Sequence, residues 1–162
     1  MCQVRGANSE VIDNLRRVFQ AVSDFAKSAE KSTGLTGPQL WAVKILASRS
    51  PMRVSDLARN MYLRPPTVVG ILDRLERKGL ITRTLSKEDR RVVKITLTAQ
   101  GEELATQAPE VVQDVLMKGL DDLSNEQFFS VEEGMKLMAK VLGADHFIPQ
   151  PLHETTTTVI QL

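Results

Sequence analysis

The chain has 162 residues, enough for one domain with extra helices attached, and 42% apolar and 25% charged residues are ordinary for a soluble globular protein. Aromatics at 4% are too sparse for an aromatic-lined catalytic cavity or a base-stacking surface, the lone Cys2 excludes a disulfide framework within the chain, and no run approaches the ~20 apolar residues that span a bilayer. The net charge of +1 hides an asymmetry: from Arg53 to Lys94 eleven Lys/Arg face five Asp/Glu, a local +6 that leaves −5 elsewhere, the mark of a polyanion-binding segment in a neutral to acidic scaffold.

Ser9 is expected to cap a first helix in which Val11, Leu15, Val18, Val22, Phe25 and Ala29 recur at spacings of four and three, ending near Gly34. So long a stripe suits a helix-helix or dimer seam. Thr36 and Gln39 form a capping box for a second helix over 37–49, with Pro38 tolerated in its first turn and Leu40, Val43, Leu46 and Ala47 on its apolar face. After the Ser50-Pro51 break, Ser55 is expected to cap a short helix carrying Leu57, Ala58 and Met61, and Leu63-Arg64-Pro65-Pro66 turns the chain into the next.

Over 65–78, Val68, Ile71, Leu72 and Leu75 make an apolar face opposite Thr67, Gly70, Arg74 and Arg77, and Gly79 ends the helix. The period then changes. Leu80–Leu85 and Val92–Leu97 are β-rich runs around the polar turn Ser86–Arg91, predicting a β-hairpin with a charged tip. Thr98 is expected to cap a helix from Ala99 towards Gly119, bent at Pro109, with Leu104, Ala108, Val111, Val115 and Leu116 on one side. Ser124 and Gln127 repeat the capping box, and Phe128, Val131, Met135, Met138 and Leu142 continue to Gly143. The proline- and threonine-rich segment 144–162 is expected to be a flexible tail.

Two helices, a tight turn, a third helix and a hairpin is the order of a winged helix-turn-helix, with the basic residues on the third helix and the hairpin tip. The first turns of such a helix reach base edges in the major groove, and an arginine at the tip enters the narrower minor groove. Leu35-Thr36-Gly37-Pro38-Gln39, Val54–Ala58, Pro66–Val68, Leu72–Ile81, Asp89-Arg90-Arg91 and Leu97–Gly101 together resemble the MarR-type (multiple antibiotic resistance regulator) transcription factors across roughly residues 10–143.

The resemblance implies a mainly α fold with one small β-hairpin wing. Residues 1–35 would form an N-terminal dimerisation helix, 36–98 the DNA-binding lobe and 99–143 the C-terminal dimerisation helices, in an obligate, intertwined homodimer reading a pseudo-palindrome in double-stranded DNA. It further implies that helix 65–78 enters the major groove and that Arg91 enters the minor groove, with Asp89 orienting it and Arg90 and Lys87 beside it. Arg64-Pro65 and Val69-Gly70 depart from the usual family residues, so the operator does not follow from the resemblance.

On this reading Arg64, Pro65, Thr67, Val68 and Gly70 line the base-facing side, with Thr67 and Arg74 as polar contacts and Arg77 beside them. The alternative is that Arg74 and Arg77 are merely solvated, or pair with Asp73 and Glu76 of the same helix. A repressor released by a small anionic or phenolic ligand is the family default, and Arg16, Arg17, Trp41 and Met61 are candidates for its crevice. Cys2 precedes the helix on which peroxide-sensing relatives carry their thiol, and His146 and His153 lack a ligating neighbourhood, so no metal or cofactor is expected. There is no phosphate loop and no nucleophile with a base, which argues against an enzyme. The competing class is a winged-helix adaptor that contacts protein and binds no specific DNA.

Overall fold

A computed structural model describes residues 3–86, 89, 92–149, 151 and 152, with backbone only over 3–7. Cys2, Lys87, Arg90, Arg91 and His153 fall outside the described residues. The elements run α1 (Gln3–Thr33), α2 (Gly37–Arg49), β1 (Met52–Arg53), α3 (Val54–Asn60), α4 (Pro65–Arg77), β2 (Ile81–Leu85), β3 (Val93–Leu97), α5 (Ala99–Gln107), α6 (Val112–Asp121) and α7 (Asn125–Val141).

The α2 helix is the hub. Gly37 to Val43 are all buried, because α1, α3, α4, α5, α6 and β3 all touch it. Its start carries the expected reciprocal geometry, the Thr36 N–H donating to Gln39 Oε1 at 3.2 Å. Leu40, Val43 and Leu46 meet Leu57 and Met61, then Val68, Leu72 and Leu75 of α4, and finally Ile81 and Ile95 of the sheet, all at most 1% exposed. At about 1.5–3 kcal/mol for each large side chain buried, this cluster is the main favourable term holding the lobe together.

The sheet has three antiparallel strands in the order β1-β3-β2, so the predicted hairpin gains a partner. Met52 pairs with Ile95 and Arg53 with Lys94, while Ile81 pairs with Leu97 and Leu85 with Val93. Two residues next to a proline carry too little pattern to announce a strand. Beyond β2, the Ser86 N–H donates to the Val92 carbonyl at 2.8 Å and keeps the ladder closed toward the tip.

Three predicted helix boundaries are corrected. Ser9 lies within α1, which begins at Gln3, since nothing before Ser9 forbids helix. Ser55 lies inside α3, whose N-cap is Arg53, because β1 leads straight into the helix with Arg53 still extended. The single bent helix expected over 99–119 is two helices. Proline at 109 forces Ala108 to an extended ψ of 145° and provides no N–H, so α5 stops and α6 restarts from Val111. Lys44 Nζ, from α2, donates to the freed Ala108 carbonyl at 3.0 Å.

The other caps hold. Thr98 Oγ1 accepts the Gly101 N–H at 3.1 Å, and Ser124 Oγ and Gln127 Oε1 exchange bonds with each other's backbone N–H at 3.3 and 3.1 Å. The α7 helix buries no side chain of its own: Phe128, Val131, Met135, Leu137 and Leu142 are all exposed, as are Val11, Val18 and Phe19 of α1. Leu152 returns to the lobe, its carbonyl accepting from Gln113 Nε2 at 3.3 Å. No helix among the described residues is long and apolar enough to cross a membrane.

Candidate nucleic-acid interface

The turn between α3 and α4 aims the second helix. Met61 N–H donates to the Leu57 carbonyl and Leu63 N–H to the Ala58 carbonyl, at 2.9 and 3.0 Å, while Tyr62 takes a left-handed φ of 52° and leaves its ring exposed. A positive φ is uncommon in a residue other than glycine. The buried Met61 before Tyr62 and the Leu63 N–H bond to the Ala58 carbonyl after it impose it.

Pro65 and Pro66 occupy the first two positions of α4, and the Thr67 and Val68 N–H groups both donate to the Arg64 carbonyl. The unpaired N–H groups by which helix N-termini usually hold phosphate are therefore missing, and any anion met by this helix is met by side chains. The helix is firmly seated. Val68, Leu72 and Leu75 are fully buried, and Lys78 Nζ from the helix end reaches the Gly34 carbonyl at 3.1 Å.

What α4 and its N-cap leave outside is Arg64, Pro65, Pro66, Val69, Gly70, Asp73, Arg74, Glu76 and Arg77, with Thr67 half-buried beside them. This corrects one expected contact. Val68 is 0% exposed and belongs to the core; the next residue, Val69, is 40% exposed and takes the outward place. The signal was present in the spacing, since Val68, Ile71, Leu72 and Leu75 form one helical face and a residue cannot serve both faces.

Arg74 and Arg77 are not paired with the carboxylates of their own helix. Arg83 of β2 takes both, with Nη2 2.7 Å from Asp73 Oδ1 and Nη1 3.4 Å from Glu76 Oε2. Among the described residues Arg74 has no ion pair, and Arg77 bonds only the Asp73 carbonyl, at 3.2 Å. The Arg83 pairing is what reading by segments missed, because its partners lie on a different element. In the wing, Asp89 is exposed and its carbonyl accepts the Val92 N–H at 2.9 Å.

The ligand candidates do not converge. Met61 is 1% exposed and is core, because the tight turn tucks it under α2. Arg16 and Arg17 lie on the exposed face of α1, bonded to Asp13 and Asn14 one turn back. Trp41 does line a groove of about 610 Å³ between α2, the α3 end and α6, together with Arg49, Arg59, Asn60, Tyr62 and Met117. Its indole Nε1 donates to Asp114 Oδ1 at 3.0 Å, tying α2 to α6. Among the described residues no group of three or more metal-ligating side chains occurs.

A helix-turn-helix backed by a three-stranded wing, with a second helix whose solvent-facing side carries Arg74 and Arg77, defines a winged helix-turn-helix protein. The family model for the MarR family matches residues 35–93. The HTH-type transcriptional repressor MdtR of Bacillus subtilis (strain 168) is 33% identical over 94 residues, 58% of this chain and 61% of MdtR. The homoprotocatechuate degradative operon repressor of Escherichia coli is 33% identical over 100 residues, 62% of this chain and 68% of that repressor. The crystal structure of the S. aureus MepR-DNA complex shares the fold with a TM-score of 0.56 at 22% identity, covering 78% of this chain and 94% of MepR. The chain belongs to the MarR family, a family of transcriptional regulators and not of enzymes.

Proposed function

We propose that the chain is a homodimeric, sequence-specific DNA-binding repressor, released from a pseudo-palindromic operator by a small anionic or phenolic ligand. The observation that carries the reading is the division of α4 into a buried apolar face and an exposed face bearing Arg64, Thr67, Gly70, Arg74 and Arg77. Base edges are read by such a row, and the arginines supply the phosphate attraction that gives affinity. The names of the relatives as repressors, and the DNA held by MepR, support it.

Dimerisation is supported by the apolar residues that stay exposed among the described residues, Val11, Val18 and Phe19 of α1 and Phe128, Val131 and Met135 of α7. Lys87, Arg90 and Arg91, at the tip of the wing, complete the interface in this reading. For the ligand, the groove beside Trp41 offers aromatic walls and the cations of Arg49 and Arg59, the chemistry that suits a phenolate or carboxylate.

Selection of genomic fragments by the purified protein, followed by footprinting, tests the reading. A two-fold symmetric footprint is expected, and Thr67→Ala should lower discrimination between that site and random DNA. Weak binding without sequence preference would instead favour the protein-contacting adaptor.

A further inference from the structure

We propose that Arg83 is a positioning residue for DNA binding: it sequesters the acidic side chains of α4 so that Arg77 stays free to meet phosphate. The inference rests on the DNA-binding reading above.

Local chemistry alone would pair α4 with itself. Asp73 and Arg77 stand four apart with the acid toward the N-terminus, the favoured orientation for a helical ion pair. The structure contains a different pairing. The Arg83 guanidinium lies 2.7 Å from Asp73 and 3.4 Å from Glu76, with Nη2 also 3.4 Å from the Val69 carbonyl. The planar fork of arginine can address two carboxylates at once, which one ammonium cannot do as well.

The register of β2 makes this possible. Ile81 and Arg83 are two residues apart, so both point to the sheet face that packs on α4. Ile81 is 1% exposed and the Arg83 side chain 25%, and there the ion pairs are less screened by salt than the fully exposed ones elsewhere. The Arg83 Nε is buried without a hydrogen-bond partner. Two consequences follow for DNA: the carboxylates that would repel phosphate are neutralised, and the wing is joined to the reading helix as one body.

The test is the salt dependence of DNA binding, since each phosphate contact contributes about −0.9 to the slope of log affinity against log salt. Arg83→Gln releases Asp73 onto Arg77 and leaves Glu76 unneutralised, and the slope should flatten by roughly one contact. The triple variant Asp73→Asn, Glu76→Gln, Arg83→Gln should recover the wild-type slope, because no carboxylate remains to compete. A triple variant as flat as Arg83→Gln would overturn the proposal.

A second comparison does not depend on Arg83→Gln folding. In the Asp73→Asn, Glu76→Gln background, removing Arg83 should leave the slope unchanged; a drop there would make Arg83 itself a phosphate contact and overturn the proposal. Wild-type protein that binds no DNA overturns the functional reading and the proposal together. Wild-type binding with either contrary slope overturns the proposal alone.

Discussion

Gly70 and Gly101 are both glycines in helices, and their surroundings give them opposite mutational signatures. Around Gly70 there is open space, so a methyl group meets nothing within the chain. Gly70→Ala should raise stability by about 0.8–1 kcal/mol through helix propensity, read as a higher thermal midpoint. It should also weaken operator binding roughly tenfold, or about 1.4 kcal/mol, because the added methyl stands on the base-facing side. Stabilisation without loss of affinity would remove Gly70 from the interface. At Gly101, by contrast, a Cβ would run into the Leu80 carbonyl oxygen and lie 3.1 Å from Leu97 Cδ2, at the junction where Thr98 also bonds the Gly79 carbonyl at 2.7 Å. Gly101→Ala should cost about 1–3 kcal/mol from overpacking, measured by chemical denaturation, and a neutral result would mean that α5 shifts freely on the wing.

At the scale of elements, the amphipathic helices were legible from spacing, and the capping boxes at Thr36 and Ser124 fixed the starts of α2 and α7. What escaped was set by neighbours distant in sequence. The β1 strand exists because β3 offers a free edge, and α1 extends past Ser9 because a serine preference for helix ends is weak against continued helix. The exposed row of α4 was legible except at Val68, where periodicity had already assigned the residue to the core. The Arg83 pairing was not legible, since strand register decides which face a residue takes. Pro109 was read as a bend and is a break, and the element it creates is testable. Pro109→Ala restores an N–H and relaxes Ala108, so helix content by circular dichroism should rise. It should rise without loss of the lobe's melting transition, since the Lys44 bond to the Ala108 carbonyl is the only bond across this break that is directly exposed to the change among the described residues.

At the scale of the molecule, the chain divides into a lobe with its own core and helices that leave apolar side chains exposed among the described residues, the N-terminal half of α1 and α7 above all. Stability of the whole should therefore depend on protein concentration, while the lobe alone should not. Val131→Glu with Met135→Glu places two charges on the α7 stripe and leaves the lobe core untouched. Sedimentation should then show monomer, and operator affinity should fall by orders of magnitude, while near-native lobe structure persists; a dimer that survives would move the seam elsewhere. The alternation along α4 has one further outcome. Val68 anchors the helix and Val69, its immediate neighbour, faces outward, so the residues that hold the fold and those that meet the outside world are interleaved yet independent. Substitutions at 64, 67, 69, 70 and 74 can accumulate without drawing on the stability margin, which leaves target preference free to drift between descendants of one ancestor while their architecture stays the same.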